Sequence, residues 1–333
     1  MAEEEIIDPK YGTLNPELVR FLKDCEYSYF REDKPIPFIP ECGLYLYPIQ
    51  VRHFEEFATC SSCLSLDKNT EAAGIRMSHL EYLLSRIELP GTEGQVWRYK
   101  INRLFELVFR LDLGYECTSC HHILKYDSQE VRKFSEDCQA FVKALMENRD
   151  GKTVEVPPEP ELRCPNKECS GTRFQHVLDV RKDAETQKLG LYIHGRAITK
   201  DEFNRMRQIV LYQNFPDYVD ESWVDPEVKK DHDEKMRLEQ QSHDLHATIE
   251  KKVVCLSVTT NYKFEEIYDM SIRRFTLALS TVDDLINYKL LKTAQYSGLS
   301  GLPKDFKVDH WIYKPNKDIY GDSYKSTDSI QAV

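Results

Sequence analysis

The sequence predicts a mainly α-helical protein with small β elements, an α+β fold whose helical body carries an inserted, cysteine-based module. Three observations predict it. Apolar residues recur at helical spacing over long stretches, as in Ile101, Leu104, Phe105, Val108 and Leu111, and again in Ile272, Phe275, Leu279, Val282, Ile286 and Leu290. Alternating or β-branched runs are few and short. Two closely spaced cysteine pairs, Cys117-Thr-Ser-Cys120 and Cys164-Pro-Asn-Lys-Glu-Cys169, stand in turn-forming contexts in the middle of the chain.

Taken in order, an acidic lead precedes a helix from Pro16 to Tyr29, with Leu18, Leu22, Cys25 and Tyr29 on one stripe. Lys34-Pro-Ile-Pro-Phe-Ile-Pro must be extended, because each proline restricts the residue before it. Gly43 to Ile49 reads as an aromatic strand and Val51 to Phe57 as a helix. Ser78-His-Leu-Glu81 is a capping box opening a helix to about Ile87, closed by Pro90-Gly91. Val96 to Leu113 is the clearest helix of this half, and Gly114 is expected to cap it in a left-handed conformation.

A further helix is expected from Ser128 to Asn148, then strands over Arg173 to Val180 and Gly190 to His194. Thr199-Lys-Asp-Glu202 opens another helix, with Phe203, Met206, Val210 and Gln213 on one face. Asp225 to Lys252 reads as a long solvated helix. Val253 to Val258, rich in β-branched residues, reads as a strand. A short helix over Phe264 to Met270 and a long one over Ser271 to Ala294 follow; Gly298 and Gly301 end the latter before a polar, Tyr-rich tail from Asp309. The expected segments are 1–113, a mostly helical domain; 114–183, a zinc-ribbon-like module with a helical insertion; 184–252, a helical connector; and 253–333, a helical segment with an extended tail.

Composition excludes some classes. The 333 residues carry a net charge of −11, a poor basis for nucleic-acid binding, which depends on Lys and Arg displacing counterions. Ten unevenly spaced cysteines do not make a disulfide scaffold in a chain of this size and fit a reducing compartment. The N-terminus Met-Ala-Glu-Glu-Glu shows no secretory signal, and no apolar stretch is long enough to span a bilayer, so an intracellular protein or part of a particle assembled inside a cell is expected. Tyrosine (19) outnumbers phenylalanine (15), a bias toward contact surfaces that must be apolar yet tolerate water.

The cysteine pairs carry the strongest chemical signal. A tight reversal lets two sulfurs face one ion, and two such turns supply four thiolates in a closed tetrahedral set. Cys117, Cys120, Cys164 and Cys169 are therefore the expected ligands of a structural Zn²⁺. Cys117-Thr-Ser-Cys120-His121 also matches a c-type haem attachment motif, but that reading requires export and leaves Cys164 and Cys169 unused. A thioredoxin-like pair would need a βαβ context, whereas a long helix precedes Cys117. Cys60-Ser-Ser-Cys63 is a lone pair, read as two small buried residues, and His243 and His246 are read as part of a solvated face.

No phosphate-binding glycine loop, nucleophile elbow, dinucleotide fingerprint or His-Glu-x-x-His motif occurs. Asp283 and Asp284 point about 100° apart on a helix and do not share a ligand. Four thiolates leave a zinc ion no open position for substrate, and His121 or His122 in place of a thiolate would still close the site. The expectation is a protein that is not an enzyme, with a zinc-dependent hydrolase the weakest rival.

At Tyr262-Lys-Phe-Glu-Glu-Ile-Tyr-Asp-Met-Ser-Ile-Arg-Arg-Phe275 the chain resembles the C-terminal segment of tail and baseplate assembly proteins of large tailed bacteriophages. There a short helix, a Met-Ser/Thr-x-Arg-x-Phe helix start, a Ser-Gly and a His-Trp recur in that order; here Ser297-Gly and His310-Trp follow, and Arg273 and Arg274 both precede Phe275. Pro40 to Ile49 has a similar flavour. The resemblance, mainly over 262–313, implies a structural or assembly component of a contractile phage tail or baseplate, in its hub or wedge region. Its partners would be other tail or baseplate subunits in a hetero-oligomeric assembly, built in the host cytoplasm and placed in the virion. It carries no catalytic residues and does not reach the cysteines. The rival reading is a zinc-ribbon adaptor for nucleic acid or the transcription machinery, with Arg163, Lys167, Arg173, Arg181 and Lys182 as its cationic face.

Overall fold

A computed structural model describes residues 11, 14–68, 72–150, 154–169, 171–183, 186–219 and 248–297, with single positions at 228, 231, 234, 235, 238 and 310. Most of the expected helix over Asp225 to Lys252, its His232, His243 and His246, the glycines Gly298 and Gly301, and all of the expected tail but His310 lie outside the described residues. The described elements are mostly helical, with small antiparallel sheets. The chain separates into two units, one of Tyr27–Tyr47 with Glu56–Leu211, the other of Met1–Glu26, Pro48–Glu55 and Tyr212–Val333. Among the described residues, no helix is long and apolar enough to cross a membrane.

In the first unit the proline-rich run is extended as expected and forms strand β1 (Ile36–Ile39), paired antiparallel with β2 (Leu44–Leu46). Gly43 turns the chain between them with φ of +66°, a conformation open to glycine at little cost. Helix α2 (Phe54–Cys60) and the short α3 (Ala72–Ile75) precede α4 (His79–Ile87). Helix α4 opens on the full capping box: Ser78 Oγ accepts the Glu81 N–H, and Glu81 Oε2 accepts the Ser78 N–H at 2.9 Å. Helix α5 (Thr92–Phe109) buries Ile101, Leu104 and Phe105 completely and packs against α4.

The end of α5 corrects one expectation. The left-handed cap is Arg110, not Gly114. Gly114 instead begins β3 (Gly114–Cys117), where a Cβ would lie 2.1 Å from the Leu124 carbonyl oxygen of β4 (Ile123–Lys125). This glycine is set by the close approach of two strands rather than by helix termination.

Helix α6 (Gln129–Arg149) follows β4, capped by Ser128. The chain then returns as β5 (Phe174–His176), giving a three-stranded antiparallel sheet in the order β4-β3-β5. Val131 of α6 packs with Leu124 and Leu162, flanked by Tyr115, Phe134 and Phe174. A second sheet, β6 (Leu178–Lys182), β7 (Leu189–Ile193) and β8 (Arg196–Ala197), is antiparallel in chain order. Helix α7 (Lys200–Asn214) opens on the Thr199 capping box and buries Phe203, Met206 and Val210, together with Ile209 on another face.

The second unit contains α1 (Pro16–Ser28) as far as Glu26, α8 (Ile249–Thr260), α9 (Phe264–Asp269) and α10 (Ile272–Ser297). Helix α8 replaces the expected strand over Val253 to Val258. Thr248 caps it, its Oγ1 accepting the Lys251 N–H at 3.3 Å; Asn261 ends it in a left-handed turn; and Val253 and Leu256, one helical turn apart, are buried. Caps and packing outweigh the modest β preference of Val253, Val254 and Val258. Val253 and Leu256 share a cluster with Val51, Ile267 and Phe275.

Candidate metal centre

The centre is built on the end of β3. Cys117 is the last residue of that strand, and the chain turns through Cys120 before entering β4. The turn is closed by the His121 N–H donating to the Cys117 carbonyl, and the Cys117 N–H donating to the His122 carbonyl, both at 2.9 Å. The second turn is closed by the Cys169 N–H on the Asn166 carbonyl at 2.9 Å and the Cys164 N–H on the Gly171 carbonyl at 3.0 Å. Strand β5 then pairs with β3, Phe174 opposite Cys117, and this register sets one turn against the other.

The four sulfurs of Cys117, Cys120, Cys164 and Cys169 lie within 4.8 Å of one another. Cys117 and Cys169 Sγ are 3.7 Å apart, and Cys120 and Cys164 Sγ 3.5 Å. This set can hold a metal ion. The backbone is shaped to it: a Cβ on Gly171 would lie 2.8 Å from Cys117 Sγ and 3.2 Å from Cys169 Sγ, so only glycine lets the chain pass so close. Its N–H points at Cys169 Sγ, 3.4 Å away.

The thiols differ in acidity. Backbone N–H groups, that of Ser119 first, hold the Cys117 thiol down at about 7, whereas loss of hydration pushes Cys164 up to about 12. Negative charge therefore settles first on Cys117 and is resisted at Cys164. A bound cation is what makes four thiolates in this space compatible, so metal uptake would release protons.

One neighbour carries a charge that the sequence reading missed. Glu116 is buried, its side chain 4% exposed. Its Oε1 accepts from His121 Nδ1 at 2.8 Å, and its Oε2 accepts from Gln175 Nε2 and His194 Nδ1, each at 3.0 Å. Burial alone would raise the Glu116 carboxyl, but these hydrogen bonds outweigh it and hold it below the ordinary range. His121, weighed in the sequence only as an alternative to a thiolate, is engaged with this carboxylate, and the four expected cysteines form the cluster without it. No local pattern marked Glu116, since its donors come from 121, 175 and 194.

Cys60 and Cys63 are buried and stand outside the cluster. Loss of hydration pushes Cys63 up to about 12 and raises Cys60, so both remain protonated packing residues. Of the five cations of the expected nucleic-acid face, two are paired with acids: Arg163 with Glu161 at 3.3 Å and Arg181 with Asp179 at 3.8 Å.

Residues 239–316 match the family model described as YomV second domain. That family is phage-associated. Within the described residues it covers α8, α9 and α10, overlaps the resemblance over 262–313, and excludes the four cysteines. No curated protein and no solved structure matches the chain.

Proposed function

We propose that this chain is a structural or assembly subunit of a phage tail or baseplate, acting through protein–protein contacts and stapled by a structural Zn²⁺ on Cys117, Cys120, Cys164 and Cys169. The observation that carries the phage assignment is the family match over 239–316; the resemblance of Tyr262 to Phe275 and the His310-Trp that follows supports the tail or baseplate role. Zinc is supported by the sulfur spacing. A tetrahedral ion with bonds of about 2.3 Å separates its ligands by about 3.8 Å; two sulfur pairs here stand at 3.5 and 3.7 Å, and all four sulfurs lie within 4.8 Å of one another. A closed thiolate set serves folding rather than chemistry, consistent with a subunit that is not an enzyme.

Exposed apolar side chains on α10, among them Leu290 and Tyr296, offer contact area for neighbouring subunits. The partners proposed are other tail or baseplate proteins, with the particle as the final location. The test is mass spectrometry of purified particles and of tail-assembly intermediates, with metal analysis of the isolated protein. One zinc per chain and presence in either particle fraction are expected. Absence from both fractions would refute the assembly role, and a metal-free folded protein would refute the staple.

A further inference from the structure

We infer that Glu116 is a positioning residue for the four-cysteine centre, and that its carboxylate carries the state of that centre into the sheet β6-β7-β8. The inference rests on the reading of the cysteines as metal ligands and goes beyond it.

Adjacent strand residues point to opposite faces, so Cys117 and Glu116 lead away from β3 in opposite directions. Cys120 and His121, adjacent in the returning turn, repeat the pairing. The turn is therefore fastened to the strand twice: through the sulfurs of Cys117 and Cys120 on one side, and through Glu116 and the His121 imidazole on the other. The second fastening extends further. The same carboxylate holds Gln175 of β5 and His194 of the β7–β8 turn, each at 3.0 Å. It thereby joins three segments that are distant in sequence.

The backbone is strained toward this arrangement. His121 and His194 both take left-handed φ, 59° and 50°, which is uncommon for a residue with a side chain. Gly195 follows at φ 75°, and a Cβ there would lie 2.4 Å from Gln175 Oε1. Two histidines in a costly conformation converge on one buried carboxylate, so the clasp offsets the strain of both turns. Because the ionised carboxylate only accepts, it fixes Nδ1–H on both rings. Groups bonded directly to metal ligands affect affinity by about 10- to 100-fold; Glu116 acts one residue removed, through His121 beside Cys120, so an effect of up to about 10-fold is expected.

Loosening the centre frees the His121 turn. Glu116 then keeps only Gln175 and His194 as donors and is held on one oxygen alone, so the contact that orders His194 in the β7–β8 turn weakens. Metal state and order in β7–β8 should change together, although no cysteine lies in that sheet.

The test uses the full chain loaded with Zn²⁺, with zinc affinity from chelator competition and backbone hydrogen exchange before and after stripping. In the wild type, stripping should raise exchange across residues 191–198. Glu116→Gln should weaken zinc by up to about 10-fold and show the raised exchange while still loaded. His194→Ala should lose the coupling; His194→Asn, which tolerates left-handed φ and retains a donor, should keep it. Should Glu116→Gln fail to fold, the two His194 variants carry the test. Stoichiometric zinc with unchanged exchange at 191–198 on stripping would overturn this inference and leave the metal reading intact. Absence of bound zinc from the folded wild type would sink both.

Discussion

Replacing Gly171 by alanine tests the sulfur cradle without touching a ligand. The new Cβ would meet Cys117 Sγ at 2.8 Å, Cys169 Sγ at 3.2 Å and Ser119 Oγ at 3.2 Å. The first contact is closer than a carbon and a sulfur can approach, and sulfurs bound to an ion cannot retreat independently. The backbone around 169–173 must shift, disturbing the Cys164 N–H bond to the Gly171 carbonyl at 3.0 Å. Overpacking of this kind costs about 1–3 kcal/mol. If that cost falls on the metal-bound state, affinity drops roughly 5- to 150-fold. The assay is Co²⁺ uptake, followed through its thiolate charge-transfer band, with Zn²⁺ competition. Gly43→Ala is the control: φ there is +66° but nothing lies within 4 Å of its Cβ, so stability should fall by about 1–2 kcal/mol with metal affinity unchanged. A folded Gly171→Ala protein with wild-type affinity would refute the claim that these sulfurs are gathered tightly around the chain.

Loss of hydration, reinforced by the Arg207 charge, lowers His79 from 6.5 to about 4. The unfolded chain then takes up the proton first, so stability is complete above pH 6.5 and declines as pH falls toward 4, by at most about 3 kcal/mol; His79→Gln should flatten urea midpoints over that window. Phe275→Ala should cost about 3–5 kcal/mol, read from the shift in denaturation midpoint, because the ring is buried among Val51, Val253, Leu256 and Ile267. Arg273→Met should cost about 1–3 kcal/mol in the same assay, since Arg273 donates to the Tyr212 carbonyl at 2.8 Å and to Glu26 at 3.1 Å. Leu290→Glu, at a side chain 62% exposed, should change stability by no more than about 0.5 kcal/mol yet prevent incorporation into particles; a loss like that of Phe275→Ala would mean the position is needed by the fold itself.

Local signals were legible and long-range ones were not. The capping boxes at Ser78 and Thr199 located two helix starts because the bonds that define them span three residues. The four cysteines were legible because each turn brings two sulfurs together from nearby positions. Val253 to Val258 misled because the helix there is decided by Thr248, Asn261 and the burial of Val253 and Leu256 against other segments. Gly114 misled because its constraint comes from the Leu124 carbonyl across the sheet. Glu116 was invisible for the same reason. A buried glutamate is identified by its donors, and those of Glu116 lie 5, 59 and 78 residues away.

The segment that carries the phage resemblance can be accounted for residue by residue within its own unit. Met270 and Ile272 bracket a β-bridge at Ser271: the Val51 N–H donates to the Met270 carbonyl at 2.9 Å, and the Ile272 N–H to the Ile49 carbonyl at 2.8 Å. Ser271 Oγ accepts the Arg274 N–H at 3.1 Å and so caps the first turn of α10. Arg273 ties that turn to Tyr212 and Glu26, and Phe275 fills the core. A run whose backbone makes the bridge and whose side chains are committed to cap, ion pair and core specifies architecture and leaves little of itself for a partner. The apolar stripe of α10 continues beyond Val282, the last of its residues packed on that cluster, to Ile286 and Leu290, both exposed. A helix that keeps its core-facing pattern past the end of its core has surface to bury elsewhere. Choice of partner in the proposed assembly should therefore reside in the second half of α10, while the motif that precedes it sets the direction in which that helix points.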